Sequence, residues 1–202
     1  MPKSLKKLRS NRAWIERHIN DPFVKKSRLD DTEHLFRPGM NVADLGSAPG
    51  SWTQIVRERL TDKNGELKGR IIAMDILPME PIDGVTFLQG DFREQEVADK
   101  LNEILGGDKL DVVISDMAPN LSGIAMVDAN ASLLLNELAL DFAVEHLKPE
   151  GVFVTKAFQG SGYSQFIENC KKHFVSVAQR KPEASRNSSA EMYVVARRLK
   201  QK

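Results

Sequence analysis

The segment from Asp44 to Trp52, Asp-Leu-Gly-Ser-Ala-Pro-Gly-Ser-Trp, constrains this chain more than any other. It closes an apolar stretch, so it predicts a strand that ends in a carboxylate and turns through glycines into a helix. Gly46 and Gly50 permit a positive φ and a close approach of the backbone to a ligand at the helix N-terminus. The segment therefore predicts an α/β fold with a nucleoside-binding turn after its first strand.

The spacing of the glycines distinguishes this turn from a dinucleotide-binding turn. A dinucleotide-binding turn reads G-x-G-x-x-G, with an acidic residue about 20 positions later. Here Asp44 precedes the glycines, and Gly46 and Gly50 are separated by three residues. The turn is therefore not a dinucleotide fingerprint, and an ordinary glycine-rich turn remains the structural alternative.

Strand and helix patterns alternate along the chain. Apolar runs and helical periodicity, as at Leu134, Leu138 and Phe142, predict one element after another. Such alternation is typical of a Rossmann-like, doubly wound and mostly parallel sheet with helices on both faces, here with an antiparallel last strand. The predicted strands are residues 41–46, 70–75, 85–89, 110–116, 151–156, 175–179 and 192–196, and the predicted helices are residues 52–60, 94–104, 129–147 and 164–173.

Composition bounds the class of protein. The 202 residues are 41% hydrophobic and 28% charged, which is typical of one soluble globular protein, and no apolar run is long enough to span a membrane. Cys170 is the single cysteine, and the four histidines have no ligand spacing, so we expect neither a disulfide nor a metal. The N-terminus lacks the apolar core of a secretory signal. We therefore expect a cytoplasmic monomer with no membrane association.

A net charge of +1 conceals a basic N-terminus. Five lysines and arginines precede the first acidic residue, Glu16. Such an arm suits RNA, because phosphate neutralisation supplies much of the affinity for nucleic acid, but a solvated tail is an equal alternative. We therefore divide the chain into an RNA-binding arm and helix at residues 1–34 and a catalytic domain at residues 35–202.

Aspartates end or directly follow four of the predicted strands. They are Asp44, Asp75, Asp91 and Asp116. Ligands of open α/β sheets bind beyond the carboxyl ends of the strands, so these acids are expected at one site. Single acids are common in loops, but four acids at one sheet edge favour a binding site.

Lys156 closes another apolar strand. A buried ammonium without a partner is costly, so this side chain must reach the mouth of a site or a carboxylate. A lysine whose pKa is lowered by desolvation or by a nearby cation can act as a general base. Snorkelling to solvent at the strand end is the structural alternative.

Eight segments resemble, in order, the ribose 2'-O-methyltransferases of the FtsJ-like family, which belong to the class I S-adenosylmethionine-dependent methyltransferases. The segment after Ser115 lacks the double proline and the aromatic of enzymes that methylate base amines. The resemblance implies S-adenosyl-L-methionine as cofactor and 2'-O-methylation of a uridine in large-subunit (23S) ribosomal RNA on the assembled subunit. The segments are residues 11–14, 35–40, 44–52, 75–79, 89–92, 115–120, 156–160 and 185–193.

The same resemblance implies the roles of the site residues. It places Asp75 on the cofactor ribose and Asp91 on the adenine amino group, and its catalytic set is Lys-Asp-Lys-Glu. Three members of that set match Asp116, Lys156 as the base, and Glu191. The expected cofactor residues are Asp44, Gly46, Gly50, Trp52, Asp75, Asp91 and Asp116.

The first lysine of the set has no counterpart here. In the family a basic segment and an aromatic-Lys-Leu sequence precede the Leu-Phe-Arg-Pro-Gly turn, whereas residues 21–31 lead directly to Thr32. Either the chain is a shortened form, or consecutive Cα atoms between Lys26 and His34 lie much farther apart than about 3.8 Å.

Two other functions stay open. The chain could methylate another RNA, such as a transfer RNA ribose. It could also be a cofactor-binding ribosome-assembly factor with weak catalysis, an alternative that the missing lysine keeps open.

Overall fold

The computed structural model describes residues 28–91, 93–119, 122–181 and 190–201. Helices and strands alternate through these residues, as the sequence pattern predicts. The elements are α1 (Arg28–Glu33), β1 (Met40–Leu45), α2 (Ser51–Leu60), β2 (Gly69–Asp75), β3 (Val85–Gln89), α3 (Gln95–Leu105), β4 (Leu110–Ser115), α4 (Ala125–His146), β5 (Leu147–Phe158), α5 (Tyr163–His173), β6 (Phe174–Arg180) and β7 (Glu191–Leu199).

The strands form one seven-stranded sheet in the order β3-β2-β1-β4-β5-β7-β6. The strands from β3 to β5 pair in parallel, and β7 is antiparallel to both of its neighbours. This arrangement confirms the predicted Rossmann-like fold with an antiparallel last strand. The chain order reverses between β1 and β4, where doubly wound sheets bind their ligands.

Each face of the sheet covers its own hydrophobic core. Helices α3, α4 and α5 cover one face, where Phe153 and Phe166 are fully buried. Helix α2 covers the other face, where Trp52 packs with Val154 and Tyr193. Alternate residues of a strand point to opposite faces, so the same strands supply both cores.

Helix α4 begins earlier and faces the core differently than predicted. It begins at Ala125 rather than at residue 129. The Asp128 carboxylate accepts hydrogen bonds from the backbone nitrogens of Ser122 and Gly123 at 2.7 and 3.1 Å, which hold the chain at the helix entry. Ala139, Leu140 and Ala143 are buried against the sheet, whereas Leu134 is exposed.

Strand β5 begins at Leu147, ahead of the predicted start at residue 151. Leu147 pairs with Leu110, and the register then shifts before Val152 pairs with Val112. This irregularity accommodates Lys148, Pro149 and Glu150, which precede the predicted start of the strand. Lys148 Nζ holds the neighbouring strand by donating to Asp111 Oδ1 at 2.8 Å.

The described part of the N-terminal region packs against the sheet. Asp30 Oδ1 accepts the backbone N–H groups of Leu35 and Phe36 at 2.8 and 3.0 Å. Glu33 accepts hydrogen bonds from Arg180 and Arg197, which outweigh the opposing effect of burial and keep the pKa of Glu33 low. Helix α1 is therefore joined to β6 and β7, and the boundary that we placed after residue 34 stays a prediction.

The chain is continuous through the described part of the shortened junction. Residues from Arg28 to His34 form a helix and a turn, in which the His34 N–H donates to the Asp30 carbonyl at 2.7 Å. A break, which was the alternative to a shortened chain, is therefore not found between Arg28 and His34. Lys26 and the basic arm at residues 1–12 lie outside the described residues.

Two expected absences concern membranes and metals. Among the described residues, no helix is both long and apolar enough to cross a membrane. The same residues hold no group of three histidine, cysteine or acidic side chains that would suit a metal ion. Cys170 lies in the core, where burial raises the pKa of its thiol to about 12.

Candidate active site

The turn after β1 requires glycine at two positions. Gly46 has a φ of 77°, and a Cβ atom there would lie 2.8 Å from Met117 Cγ. Gly50 has a φ of 105° and caps the N-terminus of α2, and a Cβ atom there would lie 2.9 Å from Ile82 Cδ1. A side chain at either position would strain the backbone and displace a neighbour. The glycines therefore keep the turn compact between β1, β4 and the segment after β2.

Asp75 connects this turn to the end of β2. Its carboxylate accepts the Ala48 N–H at 2.8 Å and the Leu77 N–H at 2.7 Å, one through each oxygen. Asp75 thus fixes the turn against the end of β2, and its contact with a ribose stays a prediction.

Asp44 is a fully buried carboxylate at the centre of the site. Its Oδ2 accepts the Thr53 hydroxyl at 2.5 Å, and its Oδ1 has no hydrogen-bond partner among the described residues. Burial raises the pKa of Asp44 to about 7; the charges of Asp116 and Asp75 act in the same direction, and the Thr53 hydrogen bond opposes them. A buried oxygen of this kind is costly without a donor or a cation, so the site fits a cationic ligand such as a sulfonium cofactor.

The raised pKa of Asp44 predicts a pH-dependent stability. The folded state favours the neutral acid, so this stabilisation is complete below about pH 4 and is lost as the pH rises through about 7. We expect the unfolding free energy of the ligand-free protein, relative to Asp44→Asn, to fall by a few kcal/mol over this range. Urea unfolding at several pH values measures it, and parallel pH curves for the two proteins would contradict the assignment.

The structure brings Lys156, Asp116 and Glu191 together. Lys156 Nζ contacts Asp116 Oδ1 directly and lies 3.7 Å from Glu191 Oε1. The side chains of Lys156, Asp116 and Glu191 are 13%, 10% and 19% exposed, so they meet in a largely desolvated place. The carboxylates of Asp116 and Glu191 pair with the ammonium of Lys156, which burial at the strand end would otherwise leave without a counter-charge.

Sheet geometry explains why these three residues meet. Asp116 follows β4, and its N–H donates to the Leu45 carbonyl of β1 at 3.1 Å. Lys156 lies near the end of the parallel neighbour β5 and pairs with Tyr193 of β7. Because β7 is antiparallel, its first residue, Glu191, lies at the edge where the parallel strands end.

Two predicted cofactor residues are engaged within the protein. Arg93 binds Asp91 through its guanidinium and its backbone N–H, and these hydrogen bonds outweigh burial and lower the pKa of Asp91. Trp52 is 3% exposed in the core, and its ring centroid lies 5.9 Å from that of Tyr193. Contact of Asp91 and Trp52 with a cofactor stays a prediction. Asn120, the last residue of the segment 115–120 that resembles the family, lies outside the described residues.

Sequence reasoning missed the partners of the predicted residues. Thr53 lies on the first turn of α2, directly after the glycine turn, and a hydroxyl at that place was a detectable signal. Arg93 follows Asp91 by two residues, a spacing at which opposite charges can meet in a loop. Asn136 accepts the Thr155 hydroxyl at 3.1 Å beside Lys156, and nothing in the local sequence signals that contact.

Known proteins share both the sequence and the fold. Ribosomal RNA large subunit methyltransferase E of Bordetella petrii is 50% identical over 208 residues, which cover 96% of this chain and 99% of that protein. A solved Plasmodium falciparum structure, described as a ribosomal RNA methyltransferase, is 29% identical with a TM-score of 0.77 and covers 89% of this chain and 98% of its own. Human methyltransferase-like protein 13, solved in complex with SAH, shares the fold at 18% identity and a TM-score of 0.57, over 90% of this chain and 82% of its own.

The family model of the FtsJ-like methyltransferases matches residues 23–199 of this chain. The match includes the glycine turn, the strand-end aspartates and the Lys156 cluster described above. The chain belongs to the FtsJ-like methyltransferase family.

Proposed function

We propose that this chain transfers a methyl group from S-adenosylmethionine to a ribose 2'-hydroxyl, that of a uridine in 23S ribosomal RNA of the assembled large subunit. The observation that carries the proposal is the cluster of Lys156, Asp116 and Glu191, which lies at the same edge of the sheet as the glycine turn after β1. The name of the Bordetella petrii relative supports the substrate class.

The cofactor, when bound, supplies a methyl group on a positively charged sulfur. On the protein side, Asp75 would accept hydrogen bonds from the cofactor ribose, and Asp44 lies at the centre of the same site. The glycines at 46 and 50 let the turn pack closely against Met117 and Ile82, which fixes its backbone where the cofactor would bind. Asp91 would accept a hydrogen bond from the adenine amino group while its carboxylate also binds Arg93.

Lys156 would take the proton of the ribose 2'-hydroxyl as its oxygen bonds to the methyl carbon. An ammonium cannot accept a proton, so Lys156 would first have to lose one to solvent. The positive charge of the bound sulfonium would favour the neutral amine. Asp116 and Glu191 hold the nitrogen in place and stabilise the ammonium that results. The proton thus passes from the 2'-oxygen to Lys156 Nζ, which is general base catalysis.

Labelled methyl incorporation tests the substrate. Purified protein is incubated with methyl-labelled S-adenosylmethionine and either undermethylated large subunits or transfer RNA. We expect label in the 23S RNA of the subunits, with Lys156→Met as the control that cannot accept the proton. Label in transfer RNA instead would overturn the proposed substrate.

A cofactor-binding assembly factor with weak catalysis is the second candidate. The alignment to the Bordetella petrii relative is longer than this 202-residue chain, so that relative has residues that this chain lacks. Tight binding of cofactor and subunit without methyl transfer would favour this candidate over the proposed enzyme.

The basic arm is proposed to dock the RNA backbone. Lysines and arginines that neutralise phosphates release counterions, so binding weakens as salt rises. We expect deletion of residues 1–12 to flatten the slope of log affinity against log salt, in filter binding to large subunits over a series of salt concentrations. An unchanged slope would make the arm a solvated tail.

A further inference from the structure

Phe158 is an exposed aromatic side chain that the mechanism above does not use. It is the last residue of β5, and 45% of it is exposed. Single exposed apolar residues are common on protein surfaces, so exposure alone signals nothing. The position of this ring beside the cluster of Lys156, Asp116 and Glu191 is what indicates a role.

The register of β5 and β7 places Phe158 in the site. Phe158 pairs directly with Glu191, and Lys156 pairs with Tyr193. Residues two apart in a strand share a face, so Phe158 lies on the same face as Lys156 and Glu191. Ala157 is buried on the opposite face.

The spacing suits one nucleotide. Two residues along a strand span about 7 Å, and directly paired residues have Cβ atoms about 5 Å apart. The base and the 2'-hydroxyl of a nucleotide are attached to adjacent carbons of the ribose. A nucleotide whose 2'-oxygen reaches Lys156 Nζ can therefore extend its base along the strand toward Phe158.

We propose that Phe158 is the platform on which the base of the target nucleotide stacks. The proposal rests on the proposed function, and it adds the residue that positions the substrate. Unpaired RNA bases are commonly held by stacking on aromatic rings, which leaves the sugar accessible. The Gln159 N–H donates to the Ala190 carbonyl at 2.7 Å and fixes the backbone beside the ring. Such a platform would hold the 2'-hydroxyl in the geometry that methyl transfer requires.

Three substitutions of Phe158 separate stacking from general apolar contact. Phe158→Ala removes the ring, Phe158→Leu keeps apolar volume without a ring, and Phe158→Tyr keeps the ring. Val175→Ala, at another exposed apolar residue on β6, is the matched control. Steady-state methylation of undermethylated large subunits gives KM and kcat, and calorimetry gives the affinity for S-adenosylmethionine.

We expect the alanine and leucine variants to raise KM for the subunit at least about fivefold, which corresponds to the lower limit for stacking of one base. The tyrosine variant and Val175→Ala should behave as the wild type, and cofactor affinity should not change. A leucine variant with wild-type KM would overturn the stacking platform while leaving the proposed function intact. If the wild type itself methylates no RNA, the proposed function and the platform both fail.

Discussion

Replacing Lys156 with alanine is expected to lower the turnover of methyl transfer by about 100-fold or more, the typical contribution of a general acid or base. The ammonium of Lys156 contacts the Asp116 carboxylate and lies 3.7 Å from that of Glu191 in a largely desolvated cluster. Cofactor affinity should change little, because Lys156 itself is not among the residues expected to bind the cofactor. Single-turnover kinetics with saturating cofactor measure the chemical step.

Lys156→Arg provides the matched control for charge. Arginine keeps the positive charge and its ion pairs, but a guanidinium does not lose its proton in proteins. We therefore expect the arginine variant to be as inactive as the alanine variant. Near-normal turnover in either variant would assign the base to another group.

Replacing Asp75 with alanine is expected to weaken S-adenosylmethionine binding by about 1 to 3 kcal/mol, the usual cost of losing hydrogen bonds to a charged group. The effect has two sources. The variant loses the acceptor proposed for the cofactor ribose, and it leaves the N–H groups of Ala48 and Leu77 without their carboxylate. Isothermal titration calorimetry measures the change.

Asp83→Ala is the matched control for Asp75→Ala. Asp83 is an exposed carboxylate that pairs with Arg57 at 2.9 Å, so its loss removes a negative charge outside the proposed ribose contact. We expect cofactor affinity close to that of the wild type. Unchanged affinity in a folded Asp75→Ala variant would remove Asp75 from the cofactor site.

The hydrophobic pattern of the sequence predicted which helices and strands form better than it predicted the residues at which they begin. The strands that end in Leu45, Asp75 and Ser115 are largely apolar runs, so their pattern identifies them. Helix α4 is apolar around most of its surface, and only packing against the sheet selects Leu140 over Leu134 for the core. The start of β5 was hidden because its proline and glycine are accommodated in an irregular stretch of pairing.

The site was predictable where it depends on strand ends. Asp116 and Lys156 follow from the rule that parallel strands present their carboxyl ends to a ligand. Glu191 begins its strand, so that rule does not find it; only the resemblance indicated it, and the antiparallel pairing of β7 explains its place. The pairing of Asp91 with Arg93 depends on side-chain geometry that sequence spacing does not determine.

The position of the transferred methyl group tests the central claim most directly. Large subunits methylated with labelled cofactor are extracted, and their RNA is hydrolysed in alkali, which needs a free 2'-hydroxyl to cut the adjacent bond. If Lys156, Asp116 and Glu191 direct methylation to a ribose oxygen, the label will appear in an alkali-resistant dinucleotide that begins with a methylated uridine. Label released in an alkali-sensitive mononucleotide would place the methyl group on a base and would contradict the account.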